Sequence, residues 1–326
     1  FWLKAQAPGA SVALIACSWP WDVFCVRDNG IASCAMVRLL ALVCYWAGGV
    51  ARALTAGSTG AGPSIMVLVP GFGQTDRMST TRQNMLWLRQ QARRIALECV
   101  IYVYQTKAAF NLSSVEFAPC RLIYRRGTWP EAVKRFPRKR WARHNMVLVW
   151  FGDNVVPNPN VDLPGMVAFM ATHKLDVVSL SYDAATPHWP HAVMQADVNE
   201  SVGRLINFVE LNFSILRPRT FQCLQDTVDV RKNRHGWGLD MVFPVACGHP
   251  NLNRPLRIGV LDCMTMEDTS AYSYNHRSAG RDMAEFLANR ELIDHLQMRT
   301  LASLSAVPAS SDCAPSAEAF PRLSAD

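Results

Sequence analysis

Four carboxylates and two imidazoles stand where strands end or loops begin: Asp153, Glu210, Asp240, Asp268, His188 and His191. A sheet that gathers Asp153 and Asp240 at one edge would suit a hard divalent cation. Mg2+ or Mn2+ takes oxygen ligands and completes its shell with water and substrate phosphate. Such a cation neutralises a leaving diphosphate as a Lewis acid. A separate carboxylate accepts the proton of an attacking hydroxyl. Together these parts describe transfer of a sugar from a nucleotide diphosphate to a hydroxyl.

The most pointed stretch is Gly236-Trp237-Gly238-Leu239-Asp240. An aromatic ring between two glycines delivers a carboxylate to a fixed place. The apolar run Arg257-Ile258-Gly259-Val260-Leu261-Asp262 follows and reads as a short buried strand. Each residue also has a duller reading. Asp153-Asn154 fits a turn after a strand. Glu210, set in an apolar run, fits a paired structural acid. His188 and His191 fit a loop stacked on Trp189. Other chemistries fare worse: Gly71-Phe72-Gly73 lacks the Lys-Ser/Thr of a phosphate loop, and there is no Gly-x-Ser-x-Gly elbow.

The elements that would position these groups alternate. Ser64 to Pro70 is a continuous apolar run, as in a strand buried on both faces. Gly71-Phe72-Gly73 reads as a tight turn. A helical pattern covers Ser79 to Glu98, with Met85, Leu88, Ala92, Ile95 and Ala96 on one face. Cys99 to Tyr104 reads as the next strand, completing a β-α-β unit that starts a Rossmann-like sheet. Thr128 is a candidate cap for a helix opened by Trp129-Pro130. Asn145 to Trp150 is a strand ending at Phe151-Gly152-Asp153-Asn154. Ligands bind at that kind of edge in open α/β sheets. Leu163 to His173 reads as a helix, Leu175 to Tyr182 and Leu205 to Leu216 as strands, and Phe221 to Val230 as a helix.

The chain has 326 residues, enough for one large domain. Its formal net charge of +7 favours acidic or phosphate-bearing partners. No zinc-finger spacing or RNA-binding aromatic signature is present, so nucleic acid is not expected. Nine bases and one acid, Glu131, lie between Arg121 and Arg143. That stretch reads either as a solvated helix face or as a basic rim for a diphosphate.

The first residue is Phe1, whereas Met36 is followed by a positive n-region, a short apolar run and an Ala-x-Ala end. This is the grammar of a secretory signal. The apolar run is about a dozen residues, short of the ~20 of a membrane span. Residues 1–35 are therefore expected to be upstream sequence, 36–53 a signal peptide or short signal anchor, 54–63 a linker, and 301–326 a disordered tail. Ten cysteines include no Cys-x-x-Cys pair. In an oxidising lumen some of Cys99, Cys120, Cys223, Cys247, Cys263 and Cys313 would form disulfides, in pairings the sequence does not give. Of the sequons at Asn111, Asn199 and Asn212, the third lies in an apolar run and reads as buried and unused.

The segment from about Met146 to Asp268 resembles a plant and bacterial family labelled "lysine-ketoglutarate reductase trans-splicing related". The resemblance rests on Val209-Glu210, Phe221 to Cys223, Trp237-Gly238-Leu239-Asp240, Cys247 and Gly259-Val260-Leu261-Asp262. The family's strand ending in Trp-Asp-Glu-Asp is similar to Trp150-Phe151-Gly152-Asp153, and its His-rich loop to His188-Trp189-Pro190-His191. The resemblance implies a GT-A glycosyltransferase-like fold, a nucleotide-sugar donor and a manganese ion. Two departures stand out. Only the last acid of the family's Asp-Glu-Asp remains, as Asp153, with Phe151 in place of the first. Where the family has a His after the final strand, this chain has Asp268, whose oxygens still suit a hard cation.

The expected fold is thus α/β over residues 64–300, GT-A-like, with a mixed, mainly parallel sheet flanked by helices. The expected activity is metal-dependent sugar transfer in the secretory pathway, in the Golgi lumen or after secretion, to a glycan or other hydroxyl acceptor. Asp153 and Asp268 would hold Mn2+ or Mg2+. Asp240 would be the catalytic base or bind the acceptor, with Glu210 and His188 as secondary site residues. Trp237 would be a sugar platform, with Gly71 and Gly73 on the donor side. The alternative is a degenerate, non-catalytic domain that binds glycans or a partner; a cytosolic nucleotide-binding protein comes third. A membrane enters only if the N-terminal segment stays as an anchor.

Overall fold

Strand β1 (Ser64–Phe72) is the apolar run read from the sequence, and Ile65 to Val69 have no exposed surface. Apolar side chains on both faces fit a strand sandwiched between helical layers. The computed structural model describes residues 62–72, 77–104, 106, 112–183, 191–197, 202–248, 256–269, 276–288, 298 and 300–304, all within one unit, Ala61–Asp326. The expected leader, the linker up to residue 61, Gly73, His188, Trp189 and the sequons at Asn111 and Asn199 lie outside the described residues.

Helix α1 (Met78–Gln91) follows, then β2 (Ala96–Val103) and β3 (Cys120–Tyr124). The helix stops seven residues earlier than its periodicity suggests. Ala96, Leu97 and Glu98 instead pair with Ser64, Ile65 and Met66 of β1. Backbone partners offered by the sheet override helical propensity there. Helices α2 (Trp129–Arg135) and α3 (Arg138–Trp141) lead to β4 (Met146–Trp150), then β5 (Val155–Pro157), α4 (Leu163–Thr172) and β6 (Val177–Tyr182). Thr128 is the N-cap of α2 as expected, and Glu131 accepts from its N–H at 3.1 Å.

The expected strand Leu205 to Leu216 is two strands, β7 (Gly203–Ile206) and β8 (Phe213–Leu216), which are not sheet neighbours. The loop between them carries Glu210. Helices α5 (Pro218–Thr227) and α6 (Leu239–Ala246), strand β9 (Ile258–Asp268), helix α7 (His276–Ala288) and strand β10 (Thr300–Leu304) complete the chain. β10 pairs antiparallel with β7, so the sheet reaches beyond the expected domain end at residue 300.

The sheet runs β10-β7-β9-β6-β8-β4-β1-β2-β3, with β5 paired to the far end of β9. β3, β2, β1 and β4 are all parallel. The other half is mixed: β6 and β9 are parallel, while β8, β7, β10 and β5 enter antiparallel. The mainly parallel sheet therefore holds for one half only.

Disulfides join Cys99 to Cys120 across β2 and β3, and Cys223 on α5 to Cys247 beyond α6; Cys263 is disulfide-bonded as well. Trp87, Trp150 and Phe213 meet edge to face at 5.4 to 5.9 Å beneath the β4 edge. Asp262, part of the resemblance, is a buried structural acid gripped by Arg204 through two bonds of 2.8 Å. No helix among the described residues is long and apolar enough to cross a membrane.

Candidate functional site

A cavity of about 680 Å³ opens where β1, β2, β3, β4 and β9 end. Volumes of this order take small-molecule ligands, and C-terminal strand edges are where open α/β sheets place them. Of the residues singled out from the sequence, Gly71, Asp153, Glu210, Trp237, Asp240 and Asp268 all line it. His191, the second His of the loop, lines it too. Gly71 reaches it from within β1 rather than from a turn, with the Tyr104 ring lying where a β-carbon would stand.

Asp153 is set by the loop after β4. The Asn84 side chain on α1 donates to the carbonyls of Gly152 and Val155 at 2.8 and 2.9 Å, clamping that loop from behind. Arg77, also buried, bonds Asn154 and lies 3.5 Å from Asp153. Asp268 comes alongside because β5 pairs Val155 with Asp268, and Thr269 N–H donates to the Asn154 carbonyl at 2.8 Å. Burial pushes the Asp153 carboxyl up to about 6; Arg77 opposes this and the Asp268 charge adds to it.

Oxygen donors from two adjacent carboxylates fit Mg2+ or Mn2+ held jointly with a phosphate, the usual mode for these ions. They do not fit a cation caged by protein alone. Among the described residues no group of three or more His, Cys, Asp or Glu is arranged to hold a metal. The described lining residues include four carboxylates and neither Lys nor Arg. A diphosphate in this cavity therefore finds no cationic side chain among them, and a bound cation would supply the missing charge.

Glu210 is held on several sides. Tyr182, fully buried, donates to it at 2.8 Å, and Asn212 donates to it at 3.1 Å and to the Tyr182 oxygen at 2.8 Å. Burial, then the Glu210 charge, raises the Tyr182 hydroxyl well above its ordinary value, so it stays a donor. His191 Nε2 is 3.5 Å from Glu210, and burial lowers its proton affinity. Asn212 lines the cavity and is half-buried, not buried as its apolar run suggests.

The Gly236 to Asp240 stretch is a loop running into α6, not a lead-in to a strand. Gly236 (φ 78°) and Gly238 (φ 76°) both adopt the left-handed conformation that glycine tolerates. Buried Asn233 fastens the loop: its Oδ1 accepts from Gly236 N–H at 2.8 Å and its Nδ2 donates to the Trp237 carbonyl at 2.7 Å. Trp129 Nε1–H donates to the His235 carbonyl at 2.7 Å, and its ring meets Phe151 at 5.2 Å. Trp129, Phe151 and Trp237 give the cavity its aromatic walls.

Asp240 occupies the first turn of α6, where Oδ1 accepts from the Met241 N–H at 3.1 Å. No basic side chain pairs with it among the described residues. Burial pushes it up to about 6, with those backbone donors opposing. Four participants escaped the sequence reading: Arg77, Trp129, Asn233 and His235. His235 and Asn233 carried a signal, their places one and three positions before Gly236. Arg77 and Trp129 are far from that stretch in sequence and reach the site only through tertiary packing.

Comparison with protein-family models finds no match, and comparison with curated proteins finds none either. Among solved structures the chain is similar to A197 from STIV, at 12% identity and a TM-score of 0.36, over 64% of this chain and 86% of that one.

Proposed function

We propose that this domain transfers a sugar from a nucleotide diphosphate to a hydroxyl acceptor, with a divalent cation at Asp153 and Asp268. The observation that carries this is the meeting of Asp153, Asp240, Asp268 and Trp237 in one cavity at the sheet's C-terminal edge. Parallel order β3-β2-β1-β4 matches the first four strands of the 3-2-1-4-5-6 order of a doubly wound nucleotide-binding sheet, which supports the Rossmann-like, GT-A-like reading. When bound, the cation would offset the charge of the departing diphosphate. Asp153 and Asp268 would hold it, with Arg77 fixing the Asp153 carboxylate. Trp237, Trp129 and Phe151 supply flat apolar surface for the C–H face of a sugar and exclude water. Asp240 either holds the acceptor hydroxyl or takes its proton. The disulfides support the secretory-pathway reading, since such bonds persist in oxidising compartments.

A second reading has one observation in its favour. Phe151, in place of an acid, completes an aromatic wall with Trp129. A non-catalytic glycan- or partner-binding domain needs that wall and no metal. Thermal unfolding with UDP or GDP, with and without Mn2+, separates the two, because a ligand of the native state raises its apparent stability. A manganese-dependent rise with either nucleotide is expected for the transferase. No rise with any nucleotide, alongside a rise with oligosaccharides, would leave the binding domain.

A further inference from the structure

Asp240 is not alone on the acceptor side of the cavity. His235, five positions earlier on the same loop, also lines it. Its Nδ1 lies 2.7 Å from Oδ2 of Asp282 on α7. The backbone is fixed as well, since the His235 carbonyl accepts from Trp129 and the next N–H is held by Asn233. With Nδ1 engaged by a carboxylate, Nε2 is the ring nitrogen left for the cavity. An imidazole oriented by a carboxylate is the usual construction of a proton acceptor for a hydroxyl nucleophile. Asp240 has no such orienting side chain among the described residues, and its Oδ1 is engaged by its own helical turn.

We propose that His235, oriented by Asp282, takes the proton of the attacking hydroxyl, while Asp240 binds and aligns that hydroxyl. This rests on the sugar-transfer reading and assigns the base within it. In the step, the hydroxyl oxygen forms a bond to the anomeric carbon. The bond from that carbon to the diphosphate oxygen breaks, and its electron pair leaves with the nucleoside diphosphate. The hydroxyl proton goes to His235 Nε2, and the Asp282 carboxylate stabilises the resulting imidazolium. The His235 side chain keeps about a third of its surface exposed (35%), so the proton can pass on to water. His235 ends the loop segment that Asn233 fastens at Gly236 and Trp237, and that segment runs directly into the first turn of α6, where Asp240 stands.

The test is nucleotide release from a panel of UDP- and GDP-sugars by the whole chain in Mn2+, with water as acceptor. His235→Ala and His235→Gln are expected to lower kcat about a hundredfold or more, the size of a lost general base, with KM for the donor within about threefold. Added imidazole is expected to restore His235→Ala at least about tenfold and to leave His235→Gln unchanged, since only the first leaves room for it. Asp282→Asn is expected to fall less than either. If the native protein turns over a donor and both His235 variants keep its kcat, or imidazole restores nothing, the assignment of His235 is wrong and the sugar-transfer reading stands. If the native protein turns over no donor, that reading fails and this assignment falls with it.

Discussion

Asn233 and Trp237 are tied by one side chain amide, whose nitrogen donates to the Trp237 carbonyl at 2.7 Å while its oxygen takes the Gly236 N–H. A single buried residue thus sets the place of the aromatic wall and the start of α6. Asn233→Ala removes both of these bonds, and a buried group that loses its partner costs about 1–3 kcal/mol. The expected loss is ~2–4 kcal/mol in chemical denaturation. Asn233→Asp, which keeps the acceptor, should lose less.

Gly71 and Gly236 should respond differently to an added methyl. At Gly71 a β-carbon meets the tip of the Tyr104 side chain at 2.0 Å, in a backbone without left-handed strain, and the ring must give up its 2.8 Å bond to the Pro70 carbonyl to move aside. At Gly236 it meets the Trp129 ring at 2.2 Å, in a backbone conformation with φ of 78°. Trp129 is held by its bond to His235 and by its contact with Phe151. Gly236→Ala therefore combines ~1–2 kcal/mol of backbone strain with a clash that cannot relax locally. It should unfold at a clearly lower denaturant concentration than Gly71→Ala.

Asp240 should make stability fall as pH rises. Burial raises its folded-state pKa to about 6, above that of the unfolded chain. Between those values the folded state binds more protons than the unfolded one, so stability is lost as pH climbs through about 6. Above that range Asp240→Asn removes the cost of a buried charge. At ~1.4 kcal/mol per pKa unit, reduced for the partial exposure of the carboxyl to the cavity, the gain is on the order of 2 kcal/mol. Unfolding curves of the two proteins should converge near pH 4, roughly the ordinary aspartate value.

Arg77 and Asp153 form a buried charge pair at 3.5 Å. Arg77→Gln strands a carboxylate and should cost ~3–5 kcal/mol without ligand. Adding Asp153→Asn should recover part of that loss, a coupling read directly from a double-mutant cycle. Additive losses would mean the two charges do not sense each other.

Residues buried in long apolar runs announced themselves in the sequence, as β1, β4 and β6 show. Continuous apolar character has few outcomes other than a strand covered on both faces. Asp153 and Asp268 could be picked out because each closes or follows a strand run, where a sheet must present its edge; Asp240 stood out only through Trp237 and its flanking glycines. The break inside Leu205 to Leu216 was hidden because Phe208, Val209 and Leu211 are as buried in a loop as they would be in a strand. The early end of α1 was hidden because residues 96–98 answer to a partner strand thirty-two positions away. Arg77, Trp129 and Asp282 lie at the site through tertiary packing, which no local pattern encodes.

If this cavity moves sugars from nucleotide diphosphates, a nucleotide-sugar turnover screen of the chain in Mn2+ gives release of UDP or GDP from at least one donor. That release is lost on chelation and in Asp240→Asn, with the variant still folded. Turnover of no donor, or turnover unchanged by both chelation and Asp240→Asn, would contradict that reading.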